Sequence, residues 1–550
     1  MSVEAAQPAD FAQPSYLDSG HTIRSWLLTT DHKRIAMMFL ASITFWFFIG
    51  GMAATLVRLS LATPDGLLQP DIFNRAFTMH GIIMVWLFLI PSIPATLGNF
   101  FVPIMIGAHD LAFPRLNLLS LYVFNLSGLV VLYAVLLGGV DTGWYFYTPY
   151  STLYSNSYVF AAAMAIFING YSSILTGLNF VVTVHKLRAP GMTWSRLPLF
   201  VWAIYAVSVV MLLATPALAM DMILLGADRI MGLGMFDPSR GGDPLLWQHM
   251  FWFYSHPAVY IMILPGMGVV SEVISCYSRR PIFGYGGMAT SMMAIAVLGF
   301  FVWAHHMFTA GISIYSAVVF SLMSFVVGVP SAIKVFNWTV SLHKGSIIFD
   351  APMIYAIGFI LLFTIGGLTG LMLATLAVDI HVHDTYFVVA HFHYIMVGGA
   401  VSAFFAGLHY WWPKITGRLY PEAVARFTAL LTFVGFNVTF FPQFVLGYLG
   451  MPRRYYAYPP QWQSWNVLSS AGASILAVAY ALPLFYLGWS LLYGKRAGPN
   501  PWGATGLEWT TPSPPPEHNF AVTPVVTLGP YSYDPEDGSY RTQDGTHYAL

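Results

Sequence analysis

Twelve apolar stretches, each long enough to cross a bilayer as a helix of roughly 20 residues, fill most of this 550-residue chain. They run over residues 36–60, 74–106, 115–140, 157–185, 197–226, 245–276, 286–310, 313–343, 350–376, 384–411, 425–450 and 467–494, with polar or Pro/Gly-rich breaks between them. In hydrocarbon a segment must satisfy its own backbone N–H and C=O groups, so stretches of this kind fold as spanning helices. The pattern predicts an all-α, polytopic membrane protein with twelve transmembrane helices. Several stretches exceed the minimum, which predicts tilt or extension beyond the membrane.

Composition narrows the function classes. Charged residues make up 8% of the chain and hydrophobic ones 57%, whereas about a quarter of a soluble protein is charged. Nucleic-acid binding through a basic patch, intrinsic disorder and a disulfide-stapled secreted fold are thereby excluded. Cys276 is the single cysteine, so cysteine pairing says nothing about redox compartment. The first twenty residues lack the basic region and apolar core of a cleavable signal, and insertion is expected to be driven by the mature helices. Of the 23 Lys and Arg residues, 15 fall in connections on one side and 6 on the other, with Lys334 inside a span and Arg541 in the tail. The positive-inside rule then places both termini in the cytoplasm, with odd helices running outward. Residues 1–35 read as a cytoplasmic N-terminal segment and 36–496 as the twelve-helix body. Residues 497–550, with PSPPPEHNF and EDGSYRTQDG, read as a polar tail without its own core.

Seven of the 17 histidines fall well inside predicted spans: His80, His256, His305, His306, His391, His393 and His409. At about 1.5 Å rise per residue, the first six share a layer in the outer half of the membrane, drawn from four helices. His409 lies near a helix end and reads as a structural histidine. Six intramembrane imidazoles at one depth point to metal or haem ligation. His391 and His393, in AHFHY, project to nearly opposite sides of the tenth helix; they cannot ligate one metal but can serve two haems. His256 and Tyr260, in HPAVY, share a face one turn apart. Adjacent His305 and His306 need a third ligand, which His256 can supply. Three neutral imidazoles with an open position suit copper or zinc, and a neighbouring haem favours redox-active copper.

Lys334 is expected to be the only Lys or Arg buried in a span, between the inner face and the histidine layer. It reads as a proton relay rather than a snorkelling side chain. Asp110, at the inner end of the second helix, is equally compatible with a solvated loop carboxylate and a proton-uptake group. No Asp or Glu is expected in mid-membrane, because Glu272 falls near the cytoplasmic end of the sixth helix.

The segments TMHG, GNFFVPIMIGAHDLAFPRLN, WQHMFWFYSHPAVYIMILPG, VWAHHMFTAG, PSAIKVFNW and HVHDTYFVVAHFHY resemble catalytic subunit I of the A-family haem-copper oxygen reductases. The resemblance implies a twelve-helix oxidase subunit of the cell (inner) membrane. By it, His80 and His393 are axial ligands of low-spin haem a, and His391 of high-spin haem a3. His256, His305 and His306 hold CuB, and Tyr260 matches the tyrosine linked to its neighbouring copper-ligand histidine. Arg453 and Arg454 match groups pairing with haem propionates, Trp144 lies near them, and Arg58 meets a haem formyl. His383 and Asp384 match ligands of a Mg site completed by subunit II. Lys334 matches the K pathway, with Ser331 as a polar partner, and Asp110 with Asn99 the D pathway. Many relatives carry a glutamate where this chain has Ala258; the preceding Tyr254 and Ser255 resemble the subgroup whose hydroxyls replace it. The implied reaction is four-electron reduction of O2 to water, coupled to proton pumping. The implied partners are subunits II and III, cytochrome c or a fused cytochrome domain, and a respiratory supercomplex. Nitric oxide reductase, a quinol-fed oxidase and a transporter with merely structural histidines are the competing readings.

Overall fold

The computed structural model describes residues 14–534, 539–541 and 547–548. Among these, eleven helices are long and apolar enough to span a membrane. They are α1 (His32–Ser60), α2 (Pro70–Met105), α3 (Pro114–Leu136), α4 (Val159–Lys186), α5 (Leu199–Met231), α6 (Pro244–Ser278), α8 (Ile314–Leu342), α9 (Ala351–Ala374), α10 (Tyr386–Thr416), α11 (Glu422–Tyr448) and α12 (Pro460–Tyr493). A shorter apolar helix, α7 (Tyr285–Phe301), brings the bundle to twelve. The helical body is joined by one short antiparallel strand pair in the tail, Tyr540–Arg541 with His547–Tyr548.

Local chemistry sets the helix ends. The Asp31, Asp243 and Ser313 side chains accept backbone N–H bonds at the starts of α1, α6 and α8, satisfying donors that have no partner within the helix. Proline occupies the first turn of α2, α3 and α6, where its missing N–H costs nothing. Gly232 and Gly417 close α5 and α10 in the left-handed region.

The bundle departs from regular α-helix geometry or from its expected span at four places near the histidine layer. α7 tightens into short 3-10 turns, Gly299–Phe301 and Trp303–Met307, and the second turn carries His305 and His306. π-helical stretches come after two other histidines: Ile83–Leu89 after His80, and Met396–Val401 after His393. Such wide turns cluster at functional sites. Finally, α5 runs to Met231 rather than stopping at 226, so Asp221, on the predicted margin, lies inside a span. That corrects the expectation of a membrane interior without Asp or Glu.

Consecutive helices pack side by side, α5 between α4 and α6 and α11 against α12, around a core of buried aromatic residues that includes Trp247, Trp338, Trp411, Tyr254 and Tyr394. The tail builds no core of its own among the described residues; its Ala504, Leu507, Trp509, Phe520 and Val526 join the bundle's core. It crosses the end of the bundle where most Lys and Arg lie, here termed the basic end. There Trp509 donates to the Tyr410 hydroxyl, and Lys33 donates to Asn519 at 2.8 Å.

Candidate haem and copper centre

α6 and the 3-10 turn after α7 bring His256, His305 and His306 together, with their ligand atoms all within 4.8 Å of one another. His256 Nδ1 faces His306 Nε2 at 3.2 Å, and His305 Nδ1 meets the Ser324 hydroxyl of α8 at 3.0 Å. His256 Nε2 is buried without a hydrogen-bond partner. Three converging imidazoles, with one orphaned nitrogen, fit a bound copper or zinc ion. Tyr260 packs edge-on against His256, ring centroids 4.8 Å apart. Its ring occupies the space a side chain at Gly299 would need: a Cβ there would lie 2.6 Å from Tyr260 Cδ2. Trp252 stacks on His306 at 3.8 Å.

The His80 and His393 rings face each other almost in parallel, with centroids 6.4 Å apart and planes within 7°. Nδ1 of His80 donates to the Gly50 carbonyl at 2.9 Å, and Nδ1 of His393 to the Val389 carbonyl at 2.8 Å. With Nδ1 carrying the proton, each Nε2 is left as a lone-pair donor, the usual way a protein fixes a ligating histidine. Two metal–nitrogen bonds span about 4 Å, which the ring separation accommodates. His391, two residues before His393, turns to the other flank, as the spacing predicts. Its Nδ1 donates to the Gly366 carbonyl at 2.9 Å, beside the Thr369 hydroxyl at 3.3 Å. It lies within electrostatic range of His256 and His305. Gly370 is needed here, since a Cβ would fall 2.9 Å from His391 Cε1.

The remaining expected cofactor contacts surround this layer. Arg58 gives Nη2 to the Asn466 carbonyl and the Ser470 hydroxyl, while its Nε and Nη1 are buried without partners, a fit to an acceptor on a haem edge. Trp144 packs among Trp86, Phe251 and Trp252. At the end opposite the basic one, Arg453 and Arg454 both pair with Asp384, at 2.5 and 3.2 Å, and Arg454 also covers the Tyr145 ring. Burial raises the Asp384 carboxyl, but the two guanidiniums outweigh it and hold it below the usual carboxylate range. His383 Nδ1 meets Asp379 at 2.7 Å. His383 and Asp384 therefore offer a Mg ion at most two ligands, and among the described residues the three-histidine group is the one close cluster of metal-ligating side chains.

The expected proton-handling residues occupy three places. Lys334 is buried with its Nζ unpaired, 5.4 Å from the centre of the Trp338 ring. Ser331 does not reach it, and gives its hydroxyl to the Val327 carbonyl. At the basic end Asn99 and Asn117 exchange side-chain hydrogen bonds at 3.1 and 2.9 Å. Asp110 accepts from the Leu111 N–H, and burial pushes its carboxyl up to about 7. Tyr254 stacks on Trp86 with centroids 5.7 Å apart and stands next to Thr215. The Ser255 hydroxyl is buried without a partner, and Ala258 lines the core. His409 bonds to the Phe405 carbonyl and the Tyr486 hydroxyl, consistent with a structural role.

Sequence reasoning did not find Ser324, Asn117, Thr369 or the histidine-orienting carbonyls. Trp252, one turn before His256, could have been found by helical spacing.

A helical bundle holding a facing histidine pair, a flanking histidine and a three-histidine cluster defines a membrane redox protein built for haem and a second metal. The family model described as "Cytochrome C and Quinol oxidase polypeptide I" matches residues 34–475, and the chain belongs to that family. It is 45% identical over 517 residues to cytochrome c oxidase subunit 1 of Thermostichus vulcanus, covering 94% of this chain and 93% of that one. Against cytochrome c oxidase subunit 1 of Bacillus sp. (strain PS3) the identity is 42%, over 92% of this chain and 83% of the relative. A heme-copper terminal oxidase dimer solved by cryo-EM shares the fold, with TM-score 0.70, 21% identity and coverage of 84% and 85%.

Proposed function

We propose that this chain is the catalytic subunit of a proton-pumping terminal oxidase that reduces O2 to water. The observation that carries the reading is the juxtaposition of the His80–His393 pair, His391 and the three-histidine cluster with Tyr260 against it. His80 and His393 hold haem a, His391 holds haem a3, and His256, His305 and His306 hold CuB. When bound, haem a3 and CuB supply the O2-binding and electron-delivering chemistry.

The chain's own residues position and protonate. Carbonyls of Gly50, Val389 and Gly366 aim three imidazoles. Tyr260, packed edge-on against His256, would be the residue that holds a proton at its phenol oxygen beside the copper site. Lys334 brings protons from the basic, cytoplasmic side to Tyr260. Asp110, Asn99 and Asn117 form a second uptake route, continued past Ala258 by the Tyr254 and Ser255 hydroxyls. Arg58 binds an acceptor on the rim of haem a, and Arg453, Arg454 and Trp144 sit by the propionates. His383 and Asp384 contribute to a Mg site that subunit II completes. Electrons arrive from cytochrome c, or a fused cytochrome domain, through CuA of subunit II. Subunit III and supercomplex partners cover the remaining apolar faces, in the cell membrane with both termini cytoplasmic.

Pigment and metal analysis of the purified oxidase tests the reading: haem A with copper is expected, and haem B with non-haem iron would overturn it. The Tyr254 relay is tested separately by proton ejection per electron in Tyr254→Phe, which should fall; unchanged ejection would sink it.

A further inference from the structure

One buried carboxyl has no place in either proton-uptake route. Asp221 of α5 is 1% exposed, its Oδ2 has no hydrogen-bond partner, and no charged side chain among the described residues acts on it. Intramembrane ionisable groups are expensive and mark ion or proton routes by default. Such a carboxyl, unpaired deep in a bundle where Lys334 Nζ is also buried without a partner, calls for a function.

Its placement is specific. The Ala203 side of α5 packs against α6, where a Cβ on Gly268 would lie 2.9 Å from Ala203 Cβ. Asp221 comes about five turns after Ala203, a spacing that returns to the same face of a regular helix, with Pro216 in between. The two helices are antiparallel, and Thr215 of α5 stands beside Tyr254 of α6. Asp221 therefore lies roughly 9 Å further along α5 than Thr215, on the far side of the histidine layer from Asp110 and Lys334. At the Thr215 level three buried polar atoms stand without partners: Ser255 Oγ of α6, Thr215 Oγ1 of α5 and, on the Trp86 ring of α2 that stacks on Tyr254, Nε1. Buried polar atoms in native proteins find a partner, ordered water included, so a run of them is the protein lining for a hydrogen-bonded chain.

We propose that Asp221 is a proton-storing residue on the exit side, charged along the Ser255–Thr215 run and emptied toward the end of the bundle opposite the basic one. The step moves a proton and no electron. An O–H of the adjoining hydroxyl or water breaks as the Asp221 carboxyl O–H forms, and the donor is refilled from behind. Asp221 later releases the proton outward.

The proposal rests on the reading of this chain as a pump, and the experiment separates the two. Asp221→Asn, Asp221→Glu and Tyr254→Phe are compared in the complete oxidase in sealed vesicles, for O2 uptake, proton ejection and redox-induced infrared difference spectra. Asp221→Asn should lose proton ejection while keeping O2 uptake, and should lose a carboxylic-acid carbonyl band that shifts on 13C-aspartate labelling of the wild type. Asp221→Glu should restore ejection with the band displaced. Unchanged ejection in Asp221→Asn, where wild type pumps, overturns the role of Asp221. A wild type that reduces O2 without ejecting protons overturns the pump reading instead. If Asp221→Asn fails to take up haem, Asp221→Glu decides: a displaced band supports the proposal, and an unaltered spectrum overturns it.

Discussion

At the scale of single residues, the site depends on groups that do no chemistry but decide where the imidazoles point. Gly370 is the sharpest case, because a side chain there would enter the volume of the His391 ring. Gly370→Val should displace His391 from its bond to the Gly366 carbonyl. Activity should drop on the order of 100-fold, the usual consequence of a misplacement of about 1 Å, and optical spectra should show the high-spin haem perturbed with the low-spin haem intact. Lys334 tests a different property. Its unpaired Nζ in the core gains no stability from its charge, so Lys334→Met should leave melting and haem content unchanged. O2 uptake should nevertheless fall about 100-fold, the contribution of a positioned proton donor. The lysine stands out in the sequence because the other Lys and Arg residues lie in connections, in the tail or near the ends of spans. Gly370 does not, since a glycine in an apolar helix looks like any other until its neighbour across the bundle is known.

At the scale of elements, helices place the ligands but interruptions of helices aim them. Past the end of α7 the chain enters a 3-10 turn, which swings His305 and His306 toward His256. α8 then locks one of them, through Ser324 and His305 Nδ1. Removing such an outer partner weakens metal affinity by roughly 10- to 100-fold, so Ser324→Ala should lower copper occupancy measured at limiting copper, with both haems retained. The apolar periodicity in the sequence finds all twelve helices because each must satisfy its own backbone in lipid. It cannot find the π-helical stretches after His80 and His393, which arise from packing against neighbouring helices and leave no pattern of their own. The fifth helix reads too short in the sequence because the polar run at Gly226, Asp228 and Arg229 looks like a break, whereas the backbone stays helical to Met231.

At the scale of the whole molecule, the tail folds back over the basic end and partly shields Asp110, whose carboxyl is pushed up to about 7, mainly by burial. In the unfolded chain this group ionises near 4. The stability contributed by its neutral form is thus fully present below about 4 and is lost as pH rises through about 7. Asp110→Asn should therefore gain stability relative to wild type as pH is raised from 5 to 8, read from thermal haem release; a constant difference would contradict the burial. The sequence by itself determined the class of fold, since continuous apolar runs of about 20 residues cross lipid as helices, not as the alternating strands of a barrel. It also determined which histidines could act together, since depth and angle follow from position along a helix. The tertiary structure alone decided which nitrogen of each imidazole is free, which charges are answered at Asp384, and that Asp221 is buried and unpaired. Those are facts about contacts between helices far apart in the chain, and no regularity along one helix encodes them.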